Sequence, residues 1–322
     1  MTSTLHVDRY LEFLSKEYLN TYVREGGASV KFVVTVDDVT RDRFSAGIAR
    51  TAADEGFLYA RIDSEMTKAH QVDQLFFELS RQAHWEDLAA RYVRSAYDAV
   101  FFPVPDEPGA LRLESAADRH GVDRRELYRS IRRRLEADLL GNGQMDQQFR
   151  LAMLRLCQAQ LEAGDVDGSE RQAILEWLSG NLRQISALRS SLIYSRIARH
   201  TARRMLLSTT RWLPTCGRKG LVLHLDLGRL FVSRRPPAEE RQGLYYSKTM
   251  VLDAYEILRQ LIDAVDDLTS TLVVVSVPID FLVDDARGLG AYSALQLRLA
   301  DEVRDRRRPN PFASLVRLEE CP

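Results

Sequence analysis

Lys219-Gly220-Leu221-Val222-Leu223-His224-Leu225-Asp226 runs from a glycine start to an acid with hardly a polar break. Leu221, Val222, Leu223 and Leu225 give the short, nearly continuous apolar pattern of a strand buried on both faces, as in a parallel sheet. An acid at the carboxyl end of such a strand stands where open α/β sheets bind their ligands. The stretch therefore predicts an α/β fold with Asp226 at its working edge.

Downstream come the helical Tyr255-Glu256-Ile257-Leu258-Arg259-Gln260-Leu261-Ile262-Asp263, a strand from Thr271 to Pro278, and Arg287-Gly288-Leu289-Gly290-Ala291-Tyr292. Upstream lie Trp177-Leu178-Ser179-Gly180 and Ala202-Arg203-Arg204-Met205-Leu206. In this order the segments resemble the P-loop ATPase-like family that includes the ATP-binding proteins of BREX-type bacterial phage-defence systems, best over 175–300. The resemblance implies an ASCE/AAA-like P-loop NTPase fold: a five-stranded parallel sheet flanked by helices, with one strand inserted between the Walker A and Walker B strands. It makes Asp226 the Walker B acid that helps hold magnesium. It also places Ser276 where related ATPases keep a polar residue that senses the γ-phosphate. Most relatives put a glutamate after the Walker B aspartate to polarise the attacking water; this chain has Leu227.

The N-terminal part fits an α/β alternation. Leu5, Tyr10, Leu11, Leu14, Tyr18 and Leu19 predict a helix over 5–24, and Val30 to Val36 a β-branched strand. A helix with Phe44, Ile48 and Ala52 on one face stops at Gly56; a strand from Phe57 to Asp63 and a helix through Val72, Leu75, Phe76 and Leu79 follow. Strand, helix, strand, helix implies parallel pairing with right-handed crossovers. In a P-loop ATPase the first strand-to-helix turn cradles phosphates with glycine backbone and a lysine. Here that turn is Thr35-Val36-Asp37-Asp38-Val39-Thr40-Arg41-Asp42, with no glycine and no lysine. Laid on the family's first helix, Arg41 falls near the lysine and Asp42 near the magnesium-binding Ser/Thr. Asp37, Asp38 and Asp42 would repel a triphosphate, since unit charges ~4 Å apart interact by ~4 kcal/mol at an effective dielectric of 20.

Phe101 to Gly109 is a proline-rich breaker, so the expected organisation is an ATPase-like domain in two parts, 1–102 and 213–322, around a helical insertion at 103–212. Within the insertion, 114–134 resembles a helix-turn-helix, with Ala117 as the small residue and Gly121 at the turn. Arg124, Arg125, Arg129 and Arg132 are its candidate DNA contacts. The same pattern also suits a helical hairpin whose arginines are solvated and balanced by Glu114, Asp118, Asp123 and Glu126. From Glu170 to Trp212 the apolar positions, among them Leu188, Leu192, Ile193 and Ile197, keep a helical spacing.

The net charge of −1 gives no global argument for nucleic acid or an anionic membrane as partner. Cys157, Cys216 and Cys321 show neither metal nor disulfide spacing, no metal site is expected, and no apolar run reads as a leader or a membrane span. A cytoplasmic location is the expectation. The family pattern adds a candidate arginine finger, Arg298, with Arg304 and Arg306 to Arg308 as alternatives; such a finger completes a neighbouring subunit's site.

Two functions follow. In the first, loss of both the phosphate loop and the catalytic glutamate marks a catalytically degenerate subunit. It would need no cofactor and would act as scaffold or regulatory partner beside other defence proteins, a competent ATPase or helicase among them, in a hetero- or homo-oligomer. In the second, the 112–134 helices bind DNA under nucleotide control, with Arg41 and Asp226 holding ATP and magnesium.

Overall fold

The computed structural model describes residues 4–232, 243–299 and 310–319. The chain divides into two compact units, Met1–Leu79 with Arg218–Pro322, and Ser80–Gly217.

The first unit is built on a six-stranded sheet in which every pairing is parallel. Its strands are β1 (Leu5–His6), β2 (Ala28–Thr35), β3 (Leu58–Asp63), β4 (Leu221–Asp226), β5 (Thr271–Pro278) and β6 (Leu315–Glu319), in the spatial order β1-β6-β2-β5-β4-β3. β5 thus lies between β2 and β4, the order implied by the resemblance. β4 is buried at every residue and β5 at all but its last, as their unbroken apolar runs require. Gly220 starts β4 because nothing larger fits: a Cβ there would stand 1.9 Å from the Ser270 carbonyl oxygen.

Each face of the sheet has its own helices. On one, α1 (Val7–Phe13) and α2 (Asp38–Asp54) bring Tyr10, Phe44, Ile48 and Ala52 against Val33, Val222 and Val274. On the other, Phe32 stacks on Phe281, with ring centres 5.9 Å apart. The Phe281 ring in turn meets the edge of Tyr255. The expected helix over 5–24 is replaced by three pieces. Leu5–His6 pairs with β6, α1 follows, and Leu14–Tyr22 winds more widely, with the Val23 N–H reaching the Tyr18 carbonyl five residues back at 2.7 Å.

The second unit contains helices and, among the described residues, no strand: α4 (Trp85–Ala99), α5 (Leu113–His120), α6 (Arg124–Leu140), α7 (Gln147–Gln160), α8 (Gly168–Leu178) and α9 (Arg199–Trp212), after α3 (Val72–Gln82) has led into it. It starts earlier than the proline-rich breaker, because α4 packs with the helices that follow: Trp85 stacks on Trp212 at 6.0 Å and meets the edge of Phe149. The stretch from Glu170 to Trp212 is not one helical run. Between Leu188 and α9 the backbone is irregular, with Leu192 at φ 59° and 53% exposed. Specific hydrogen bonds outcompete the helical spacing there. The Ser191 hydroxyl donates to Glu170 Oε1 at 2.5 Å, and Trp177 Nε1 donates to the Ser195 carbonyl at 2.9 Å. Among the described residues no helix is long and apolar enough to cross a membrane.

Candidate functional site

The ligand edge of this sheet lies where Asp63 and Asp226 end β3 and β4 and Thr35 and Pro278 end β2 and β5, two residues past Ser276. In register, Asp226 stands beside Asp63 on one side and Ser276 on the other. The carboxylate of Asp226 is only 5% exposed, and it meets two arginines. Arg61 Nη2, from β3, donates to Asp226 Oδ2 at 2.7 Å and lies 3.3 Å from Asp63 Oδ2. Arg41 Nε, from the first turns of α2, lies 3.9 Å from the same Asp226 oxygen and 3.7 Å from Asp42. A third contact, 3.0 Å, joins Arg41 to Asp38. Arg41, with its neighbour Asp42 beside it, is thus brought to Asp226 from a distant part of the sequence, with Arg61 as an additional and closer partner.

Behind the acid lies a buried polar relay. His224 is fully buried in β4; its Nε2 is 2.7 Å from the Ser276 hydroxyl and its Nδ1 is 2.9 Å from the Tyr59 hydroxyl. Burial, with Arg61 nearby, pushes its pKa down to about 3, so the imidazole is neutral. Ser276 is therefore engaged by His224 from the adjacent strand.

The turn between β2 and α2 contains only Val36 and Asp37. Asp37 caps the helix, its carboxylate accepting from the Thr40 N–H at 2.7 Å. The Thr40 hydroxyl and N–H hold the Asp37 carboxyl below the usual carboxylate range. A carboxylate of the chain itself occupies the helix N-terminus, where a bound anion would otherwise be stabilised. Beside this edge, Asp42, Ser45, Ala46 and Ala49 of α2 and Tyr59 and Arg61 of β3 line an open cavity of about 460 Å³.

Arg61, Tyr59 and His224 escape the motif order, although the sequence carries signals for them. The alternation Tyr59-Ala60-Arg61-Ile62-Asp63 puts three polar side chains on one face, and His224 is the single polar break inside the apolar run. The other candidates sit on other elements. Arg298 sits on α11 (Ser293–Leu299) and is chelated by Asp263 of α10 (Lys248–Asp263), with Nε 2.5 Å and Nη2 3.1 Å from its two oxygens. Arg304 and Arg306 to Arg308 fall outside the described residues. Arg124, Arg125, Arg129 and Arg132 lie on α6 in the second unit, all exposed. Arg287, from the family-like Arg-Gly-Leu-Gly segment, is buried. Its Nη1 donates to the Leu230 and Tyr246 carbonyls at 2.9 Å each, and Nη2 to the Tyr245 hydroxyl at 3.2 Å. That motif residue ties loops together.

No curated protein and no solved structure matches the chain. Residues 109–321, about two thirds of it, match the family described as BREX system ATP-binding protein BrxC/D. The match covers most of the helical unit and the strands β4, β5 and β6, the first two of which carry Asp226 and Ser276. The chain belongs to the family of BREX system ATP-binding proteins BrxC/D.

Proposed function

We propose that this protein is a catalytically degenerate P-loop ATPase-like subunit that serves a BREX phage-defence complex as scaffold or regulatory partner. The observation that carries this reading is the Arg61–Asp226 contact at 2.7 Å. In a working site the acid at this position faces magnesium. Here its inner charge is met by a guanidinium of the neighbouring strand. Two further features point the same way: the turn of two residues between β2 and α2 is too short to wrap phosphates, and Leu227 stands where the water-polarising acid belongs. The residues at this edge do not fit a magnesium–triphosphate group.

Phosphoryl-transfer catalysis is nearly all positioning and charge stabilisation, so loss of several elements together is not repaired by one. Phosphate release by the purified chain should equal background, and Leu227→Glu should leave it there. The scaffold role is tested in cells that carry the whole defence system. Asp226→Asn, provided the protein accumulates normally, should keep phage plating as low as the wild type, whereas deletion of the gene should restore plating. Loss of defence with the Asp226→Asn protein present and folded would mean that the acid works chemically. Partners are expected among the other components of the same system, as membership of the family supports.

A further inference from the structure

α5 and α6 are joined by Gly121, Val122 and Asp123. Gly121 takes φ 62°, the Val122 N–H returns to the Ala117 carbonyl at 3.1 Å, and Asp123 caps α6 by accepting from the N–H groups of Arg125 and Glu126 at 2.9 and 3.0 Å. Leu113, Ala116 and Ala117 of α5 are buried with Leu127, Ile131 and Leu135 of α6. Two helices joined by a three-residue turn that begins with glycine, with small buried residues on α5, have the connection of a helix-turn-helix.

The outer face of α6 carries Arg125, Arg129 and Arg133 at successive four-residue steps, with Arg132 beside them, all exposed. Arg132 is paired with Glu136 at 2.7 Å, but among the described residues Arg124, Arg125, Arg129 and Arg133 make no ion pair. The acids that could have balanced them do not: Asp123 is spent as the cap, and Glu114, Asp118 and Glu126 form no ion pair with them. This arrangement opposes the helix twice. Like charges four residues apart repel, and Arg124 and Arg125 sit in the first turn, where the helix dipole disfavours cations. The surrounding unit has the same bias. Ser80–Gly217 holds 21 arginines and no lysine against 17 carboxylates, in a chain whose net charge is −1. Arginine is the residue that forks onto phosphate and onto base edges. A helix of 17 residues, about 25 Å long and roughly 10–12 Å across, matches a major groove about 12 Å wide.

We propose that α6 is a duplex-DNA-binding helix, with Arg125, Arg129 and Arg133 on backbone phosphates and Arg124 at the leading end toward base edges. The proposal is independent of whether the sheet edge binds nucleotide. The test is fluorescence anisotropy of a labelled mixed-sequence duplex with the full chain over a salt series. The wild type should bind at low salt with log affinity falling linearly against log salt. Replacing Arg125, Arg129 and Arg133 together by alanine should flatten that slope by about 3, one for each phosphate no longer neutralised. The single charge reversal Arg129→Glu should weaken binding in the same direction, and circular dichroism melting should show both proteins folded. A charge-matched control, Arg91, Arg183 and Arg189 to alanine, should bind as the wild type does. Absence of duplex binding by the wild type at low salt would overturn the proposal. So would equal weakening by the two triple variants. Displacement of the duplex by polyglutamate as readily as by unlabelled duplex would also overturn it, since the surface would then fit an acidic protein.

Discussion

Arg61 of the edge strand holds the carboxylate of Asp226 at 2.7 Å, one strand inward, at the end of the sheet where a ligand would otherwise meet that acid. Side-chain exposure is 38% for Arg61 and 5% for Asp226. The two partners are therefore unequal, and their removal has unequal consequences. With Arg61→Ala, a nearly buried carboxylate keeps Arg41, 3.9 Å away, and the Gly228 N–H, 3.3 Å away, and the loss should be about 2 kcal/mol. That is less than the ~3–5 kcal/mol for breaking a fully buried pair, because Arg61 is itself partly solvated. With Asp226→Ala, Arg61 still has Asp63 and water, so the cost should be smaller. Urea unfolding of the two variants checks the order; a larger loss for Asp226→Ala would contradict it.

The His224 relay gives the unit an acid-sensitive element. Its folded pKa of about 3 lies below the ordinary value of about 6.5, so the unfolded chain binds a proton that the folded one refuses. Stability should be unaffected by this group above pH ~6.5 and fall as pH drops toward 3, by up to ~1.4 kcal/mol per pH unit. His224→Gln keeps a polar group between Tyr59 and Ser276 but cannot titrate. Unfolding free energies measured from mildly acidic to neutral pH should show a shallower slope for this variant. Equal slopes would show that His224 is not buried in its neutral form.

Arg287 is 7% exposed and ties three groups from two other segments. Arg287→Ala leaves the Leu230 and Tyr246 carbonyls without this donor and should cost about 3 kcal/mol, at ~1.5 kcal/mol or more for each of two hydrogen bonds to a charged group. Arg287→Lys should recover less than half of it, because one ammonium cannot reproduce the planar fork. The neighbouring Gly288 is equally constrained, since a Cβ would stand 2.4 Å from the Asp284 carbonyl oxygen. Thermal melts of Arg287→Ala, Arg287→Lys and Gly288→Ala would check all three; full recovery by lysine would contradict the fork.

The sheet is legible in the sequence because its central strands are apolar without interruption. Thr271–Pro278 has the same limits in the sequence pattern and in the fold, and Leu221–Asp226 lies inside the run that begins at Lys219. β1 escapes the pattern because a two-residue strand leaves no periodicity to read. Leu192 misleads for the opposite reason: it keeps a helical spacing with Leu188, yet Ser191 and Trp177 draw its segment into an irregular path that periodicity cannot foresee. At the candidate site Arg41, Asp226 and Ser276 can be placed from motif order. Arg61 cannot, because its role depends on β3 lying beside β4 in the observed register, a relation between strands more than 150 residues apart. The acids expected to balance the α6 arginines illustrate the same limit, since Asp123 is taken up as a cap.

Whether this edge takes a nucleotide is read by calorimetric titration of the full chain with ATP, in the presence and in the absence of magnesium. No binding heat is expected at micromolar to sub-millimolar ATP in either condition, and none for Asp226→Ala. Micromolar binding that requires magnesium and disappears in Asp226→Ala would contradict that expectation, because Asp226 would then have exchanged Arg61 for the metal.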